Sequence, residues 1–174
     1  DTAMSYNCIG AVYSEKGDYD RALEYYFKAL AIKEKVLGKD HPYTAKSYNC
    51  IGIVYKNKGD YDGALEYYLK ALAIQEKVLG KDHPDTASSY NNIGVVYYYK
   101  SNYDRAWEYY LKALAIQEKV LGTEHPYTKK VAENINMAER ALAKQKSGAV
   151  DGGINYEPSQ NESLWGKIKR KLGF

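Results

Sequence analysis

The sequence has almost no cysteine, and this limits the folds that it can adopt. Cys8 and Cys50 are its two cysteines, and they stand at the same place in the similar segments YNCIGAVY and YNCIGIVY. A third such segment, YNNIGVVY, has Asn92 at that place, so a disulfide framework is excluded. We expect both thiols to be buried and reduced, which is typical of a cytoplasmic protein.

The sequence also lacks a long apolar run and a strong net charge. No segment reaches the roughly 18 to 20 consecutive apolar residues that a membrane span requires, and no basic stretch followed by an apolar one opens the chain. The net charge is +3, of which +2 lies in residues 146–174, where five basic residues outnumber three acidic ones. The rest of the chain is nearly neutral, and we therefore expect no nucleic-acid partner.

Signatures of catalysis are missing as well. The chain has no glycine-rich phosphate loop, no nucleophile beside a general base, and no paired carboxylates outside the spacing of ion pairs. We therefore expect no enzymatic activity and no cofactor. Its 45% hydrophobic and 27% charged residues are typical of a chain that folds around a core.

A repeat of 42 residues dominates what is present. Residues 43–84 and 85–126 are identical at 30 of 42 positions, and residues 1–42 follow the same frame. The frame starts once more after Pro126 and then loses its markers. This pattern predicts three repeats, 1–42, 43–84 and 85–126, followed by a capping helix over 127–145.

Each repeat reads as two helices, so the predicted fold class is all-α. In the second repeat, Ile51, Gly52 and Tyr55 lie on one face of a first helix, and Ala64 and Tyr68 on one face of a second. The same residues recur in the other repeats. Because glycine inside a helix costs about 1 kcal/mol relative to alanine, its recurrence predicts a close approach of the partner helix.

The hexapeptides LGKDHP, LGKDHP and LGTEHP join successive repeats. Each combines a glycine that suits the end of one helix with a proline that suits the first turn of the next. The histidines His41, His83 and His125 stand two helix layers apart, too far to share one metal ion. We therefore expect local capping and packing roles for them and no metal site.

These helix pairs resemble the tetratricopeptide repeat. The residues that match its signature in the first repeat are Tyr6, Ile9, Gly10, Tyr13, Gly17, Tyr19, Ala22, Tyr26 and Ala29. The 42-residue length, against 34 in the ordinary repeat, is similar to the kinesin light chain subclass. The resemblance covers residues 1 to about 145 and implies a right-handed α-α superhelix whose first helices line a concave groove for peptides or partner proteins. A noncatalytic scaffold or adaptor is the implied function.

The family's groove positions can be carried over by motif. They give Met4, Asn7, Ala11, Ser14 and Glu15; Lys46, Asn49, Ile53, Lys56 and Asn57; Ser88, Asn91, Val95, Tyr98 and Tyr99; and Lys130, Glu133, Met137 and Arg140 in the capping helix. Asn7, Asn49 and Asn91 form a ladder that suits the backbone of an extended peptide, although asparagine also simply tolerates water. Lys46 and Lys56 favour an acidic residue in the ligand, and the two tyrosines offer flat contact area.

The remaining residues read as a linker, 146–162, and a short basic amphipathic tail, 163–174. Trp165, Ile168 and Leu172 lie on one helical face, opposite Lys169 and Arg170. Three interpretations stay open for this tail: contact with an anionic membrane or acidic partner, docking in the chain's own groove, and disorder. The first of these gives an alternative function, in which the array is a spacer tethered by its tail.

The first repeat lacks a polar capping helix in front of it. In helical-repeat proteins such an end leaves apolar surface exposed. We therefore expect a homodimer that forms through the first repeat.

Overall fold

The computed structural model describes residues 2–147, and every regular element in this range is a helix. The seven helices are α1 (Thr2–Glu15), α2 (Tyr19–Leu37), α3 (Pro42–Lys58), α4 (Tyr61–Val78), α5 (Pro84–Tyr99), α6 (Tyr103–Leu121) and α7 (Pro126–Ser147). The prediction of an all-α helical repeat array is confirmed. Helix α7 occupies the place of the expected capping helix and continues two residues into the segment expected to be a linker.

The helices stack in chain order. Within each repeat the two helices form a hairpin, and the second helix of one repeat packs on the first helix of the next. Helices α5 and α7 also contact each other directly across α6. The odd-numbered helices therefore form one side of the array and the even-numbered helices the other, so the core is a continuous ribbon between them.

A glycine in each of α1, α3 and α5 lies against a tyrosine ring of the following helix. Gly52 and Gly94 are so close to Tyr68 and Tyr110 that a Cβ on either glycine would stand 2.7 Å from a ring carbon. Both rings are almost completely buried. The expected close approach is confirmed: the missing side chain makes room for the aromatic ring and, at Gly94, also for the backbone oxygen of Ala106, which would lie 3.2 Å from a Cβ.

The loops between repeats show why their hexapeptide is repeated. Gly38 and Gly122 have φ of 93° and 82° with ψ of 161° and 164°, a region that is essentially restricted to glycine. The next helix then begins with a histidine cap: Nδ1 of His41 accepts the N–H of Tyr43 at 3.1 Å. His83 and His125 accept from the second residue after them in the same way. Their capping role is thereby explained by geometry.

The acidic residue of the hexapeptide has a different task from the histidine. Asp40 forms an ion pair with Lys77, and Asp82 forms one with Lys119. Each pair joins the loop of one repeat to the second helix of the next repeat, 37 residues later. The acids therefore link successive layers at the exposed edge of the array.

The expectation that both thiols are buried is wrong for Cys8, whose side chain is exposed. Cys50, at the same place in the second repeat, is partly buried, and this burial raises the pKa of its thiol. The difference arises because α2 covers the outer side of α3, whereas no helix within residues 2–147 covers the outer side of α1.

Ser101 supplies a direct test of how the helix hairpins turn. It has φ of 58°, whereas Gly17 and Gly59 occupy the equivalent place in the other repeats with φ of 77° and 85°. Because a left-handed conformation costs a non-glycine residue about 1–2 kcal/mol, Ser101→Gly is expected to raise the free energy of unfolding by about 1 kcal/mol. Thermal unfolding measures this as an increase of about 2–4 °C in Tm. Ser88→Gly inside helix α5 is the control and should lower Tm, and a lower Tm for Ser101→Gly would contradict the account.

The glycine–tyrosine contact can be tested by comparing two layers. Gly52→Ala places a methyl group 2.7 Å from the Tyr68 ring, whereas Gly10→Ala places it 3.2 Å from the Tyr26 ring in the end layer. Both changes gain about 1 kcal/mol of helix propensity, so the difference between them isolates the clash. We expect Gly52→Ala to unfold at a lower urea concentration than wild type, because it loses about 1–3 kcal/mol of unfolding free energy. Gly10→Ala should lose much less of that free energy. Equal effects of the two substitutions would show that the close contact is unimportant.

Candidate binding face on the odd-numbered helices

The groove positions expected from the sequence lie on the odd-numbered helices. We call these positions the groove face. Its most exposed apolar side chains are Met4, Ile53, Tyr99 and Met137, with 65%, 39%, 58% and 49% of their surface accessible. The partly buried members of the face are Asn7, Ala11, Ser14, Asn49, Lys56, Asn91, Val95 and Tyr98. Ser88 and Lys46 are exposed.

Polar contacts join neighbouring odd-numbered helices into one surface. Nζ of Lys46 on α3 lies 3.3 Å from a carboxylate oxygen of Asp85 on α5. Further along α3, Nδ2 of Asn49 donates to Oγ of Ser89 at 3.0 Å. These contacts cross from the second repeat to the third, so the two helices form one continuous surface on this face.

The asparagine ladder is partly used inside the protein. Besides the contact of Asn49 with Ser89, Oδ1 of Asn91 accepts from Nδ2 of Asn134 at 3.1 Å. The Ser89 hydroxyl lies 2.6 Å from Oε1 of Gln75 and 3.2 Å from Oδ1 of Asn49, and the shorter contact favours donation to Gln75. Both asparagines therefore bridge neighbouring odd-numbered helices through their side-chain amides.

Asn7 differs from its counterparts in the ladder. Its Oδ1 is buried and has no hydrogen-bond partner in residues 2–147. Ser47, which matches Ser89, instead accepts from Nζ of Lys33 at 2.8 Å, at the place where the next repeat has Gln75. The pKa of Lys33 is lowered by burial. The change from glutamine to lysine thus alters the network of the first layer, and sequence comparison of positions 33 and 75 is the signal that reveals it.

The two lysines singled out from the sequence have different surroundings. Lys46 is already neutralised by Asp85, so it brings less net charge to the face than expected. The ammonium group of Lys56 makes no ion pair or hydrogen bond with residues 2–147, and burial lowers its pKa. Lys56 is therefore a partly desolvated cation that still lacks an anionic partner.

Tyr98 and Tyr99 belong to a cluster of four tyrosines. The Tyr99 ring stacks on Tyr61 with centroids 5.7 Å apart, and Tyr98 meets both Tyr99 and Tyr103 edge to face, at 6.2 and 5.3 Å. Sequence reasoning missed Tyr61 and Tyr103 as members of this surface. The available signal was their place at the start of the second helix, beside the end of a first helix.

No group of three or more His, Cys, Asp or Glu side chains suited to a metal ion occurs in residues 2–147. Over the same residues, none of the helices combines the length and apolar character needed to cross a membrane. The predicted tail contacts Trp165, Ile168, Lys169, Arg170 and Leu172 lie outside the described residues.

Comparison with known proteins agrees with this geometry. Residues 1–56 and 43–119 match the sequence profile of the tetratricopeptide repeat. No curated protein sequence gives a significant match. The kinesin light chain-type repeats of Podosopora anserina are 26% identical over 83% of this chain and 68% of theirs, with a TM-score of 0.73.

Two further solved structures share the fold. BtubC from P. vanneervenii is 24% identical over 92% of this chain and 71% of its own, with a TM-score of 0.65. The TPR2B domain of yeast Sti1, solved in complex with pHsp70, is 14% identical over 80% of this chain and 97% of its own, with a TM-score of 0.62. At these identities the similarity concerns the fold alone.

The unpaired state of Lys56 predicts a pH dependence of stability. Because its pKa is lower in the folded chain than the 10.5 of an ordinary lysine, the folded state binds fewer protons than the unfolded state as pH rises towards 10.5. The destabilising effect of Lys56 on the folded state therefore decreases, and the free energy of unfolding increases, as pH rises in that window. Lys56→Met should raise the urea midpoint at pH 7 and should do so less at pH 9.5.

Lys81→Met is the matched control for that experiment, since Lys81 is an exposed lysine in the loop between α4 and α5. Its effect should not change between the two pH values. If Lys56→Met changes the urea midpoint by the same amount at pH 7 and at pH 9.5, the desolvation of Lys56 is refuted.

Proposed function

Because the chain belongs to the tetratricopeptide repeat family, we propose that it is a noncatalytic scaffold or adaptor that holds a peptide or a segment of a partner protein on the groove face. The complex of the Sti1 domain with pHsp70 supports this class of function, since that domain shares the helical array. A cytoplasmic location is part of the proposal.

The observation that carries the proposal is the unpaired ammonium group of Lys56. A partly buried cation without a counter-ion has lost part of its hydration and has gained nothing in exchange. A carboxylate of a ligand that reaches Lys56 would restore the missing partner in a poorly hydrated place, where charge-assisted hydrogen bonds are strongest. We therefore assign an acidic residue to the ligand, as the sequence suggested, with Lys56 rather than Lys46 as its main contact.

The tyrosine cluster supplies a second contact for the same ligand. Tyr98 occupies in the third repeat the place that Lys56 occupies in the second. The helices that carry these residues, α3 and α5, contact each other through polar side chains, so an extended segment that runs across both helices would reach both places. Tyrosine offers large contact area at small cost in conformational entropy. The ligand would then place an apolar or aromatic side chain against Tyr98 and Tyr99 and its acid beside Lys56.

The asparagines would contribute by binding the ligand backbone. Within residues 2–147 the side-chain amide N–H groups of Asn91 are available, because its contact with Asn134 uses only the carbonyl oxygen. Replacing Asn49 or Asn91 would also remove a contact between helices, so these residues are poor choices for a test of binding. Lys56 and the tyrosines make no such bridge between odd-numbered helices.

A second copy of the chain is a further partner that we propose, at the outer side of the first repeat. Ile9 and Val12 expose 37% and 48% of their surface there. This surface is separate from the groove face, so self-association and ligand binding are compatible.

Selection from random dodecapeptides displayed on phage tests the proposed function. We expect peptides enriched on the wild-type chain to contain Asp or Glu together with an apolar or aromatic residue. Lys56→Met should lose the preference for acid, and binding of a synthetic enriched peptide should weaken at least tenfold. Tyr98→Lys with Tyr99→Asn installs residues resembling Lys56 and Asn57 of the second repeat and should remove the aromatic preference while keeping the fold.

The Lys81→Met variant serves as the charge control and should select the same peptides as wild type. Circular dichroism of each variant establishes that the helices are retained. Absence of enrichment, or identical enrichment on wild type and Lys56→Met, would overturn the proposal.

A further inference from the structure

Three polar side chains from three helices meet where the second repeat packs on the third. They are Asn49 of α3, Gln75 of α4 and Ser89 of α5. Nδ2 of Asn49 donates to Oγ of Ser89 at 3.0 Å, and the Ser89 hydroxyl donates to Oε1 of Gln75 at 2.6 Å. Gln75 and Ser89 are almost completely buried. Hydrogen bonds therefore join all three side chains, and none of the three carries a charge.

The same three places between the first and second repeats hold Asn7, Lys33 and Ser47, which we call the first junction. Here Nζ of Lys33 donates to Oγ of Ser47 at 2.8 Å. Asn7 makes no side-chain hydrogen bond within residues 2–147, and its Oδ1 is buried. The contacts of Asn49 run forward to α5, and the equivalent contacts of Asn7 would run forward to α3. The difference between the two places therefore comes from the residues present and not from the uncovered outer side of α1.

Lys33 is a cation without a counter-ion. Within residues 2–147 it forms no ion pair, and burial lowers its pKa. Its one hydrogen bond, to Ser47, leaves two of the three ammonium N–H groups unused. Gln75 is 2% exposed, whereas Lys33 is partly exposed and can be reached by an anion from solvent. A partly desolvated ammonium group binds a carboxylate more strongly than a fully hydrated one does.

We propose that the first junction binds the carboxylate of a second acidic residue in the segment held on the groove face. This inference rests on the proposed function and adds a further specificity-determining site to it. Nζ of Lys33 would donate to one carboxylate oxygen, and Nδ2 of Asn7 would donate to the other. Asn7 is a partly exposed member of the groove face whose Oδ1 is buried, so Nδ2 is the polar atom of its side chain that a ligand can reach.

The place of the first junction sets the order of residues in the ligand. Tyr98 lies on α5, Lys56 lies on α3, and the first junction lies between α1 and α3. A segment that crosses the odd-numbered helices therefore meets the tyrosine cluster first, Lys56 second and the first junction last. Both acidic residues of the ligand would then lie on the same side of its apolar or aromatic residue. The third repeat has Gln117 at the place of Lys33, so among the three repeats the first alone has a cation there.

The second repeat shows which substitution removes the site and keeps the fold. Lys33→Gln gives the first junction the amide that Gln75 supplies in the next layer. It removes a partly buried cation and adds an acceptor for the Ser47 hydroxyl, so this variant should unfold at a higher urea concentration than wild type. Loss of binding in Lys33→Gln would then not result from loss of structure. Lys35→Gln is the matched control, since Lys35 is an exposed lysine of the same helix.

Selection from random dodecapeptides on these variants tests the inference. Wild type and Lys35→Gln should both enrich peptides with two acidic residues on the same side of an apolar or aromatic one. Lys33→Gln should enrich peptides that keep the acid nearer to that residue and lose the outer one. The peptide most enriched on wild type, once synthesised, should bind Lys33→Gln about tenfold more weakly, as expected for the loss of a hydrogen bond to a charged group. Titration calorimetry measures this difference.

A second form of the synthetic peptide, with its outer acid changed to the corresponding amide, locates the contact. This change should weaken binding to wild type about tenfold and leave binding to Lys33→Gln unchanged, because the two groups act on each other. Identical selection on wild type and Lys33→Gln, with an acid preference that Lys56→Met abolishes, would overturn the second acid site and leave the proposed function intact. Absence of enrichment on wild type would overturn both.

Discussion

The array depends on the contact between a glycine of one helix and a tyrosine ring of the next. Gly52 and Gly94 leave room for Tyr68 and Tyr110, which expose only 1% and 2% of their surface. The helix loses about 1 kcal/mol of propensity at each glycine. A buried aromatic ring of 150–250 Å² offsets that loss. Because the same contact recurs in successive repeats, the layers adopt the same spacing, and the odd-numbered helices come to lie side by side.

In this arrangement a polar side chain of an odd-numbered helix either contacts the next odd-numbered helix or remains without such a contact. Lys46 and Asn49 contact the next odd-numbered helix, whereas the ammonium group of Lys56 makes no ion pair or hydrogen bond within residues 2–147. The side chains that a ligand could contact are therefore those that the contacts between helices do not use. The same reasoning applies to α1, where Ile9 and Val12 match residues that are buried between layers but are not covered by a helix within residues 2–147.

Features confined to one repeat could be predicted from the sequence, and features that cross between repeats could not. The recurring glycine, the histidine caps and the buried alanines depend on local geometry, which a 42-residue period reveals directly. The pair of Lys46 with Asp85 and the pair of Asn49 with Ser89 depend on how far one helix slides along the next. The exposure of Cys8 was wrongly predicted because the repeat pattern assigns it the environment of Cys50, whereas an end layer has a single neighbour.

Hydrogen exchange resolved by peptide mass spectrometry tests most directly whether each layer is held by its neighbours. The measurement should be made at a concentration where the chain is monomeric, and it should follow the backbone amides of all seven helices. The account predicts the slowest exchange in α4 and α5, which have layers on both sides, and faster exchange in α1, whose outer side is open. Protection of α1 equal to that of α4 and α5 in the monomer would contradict it.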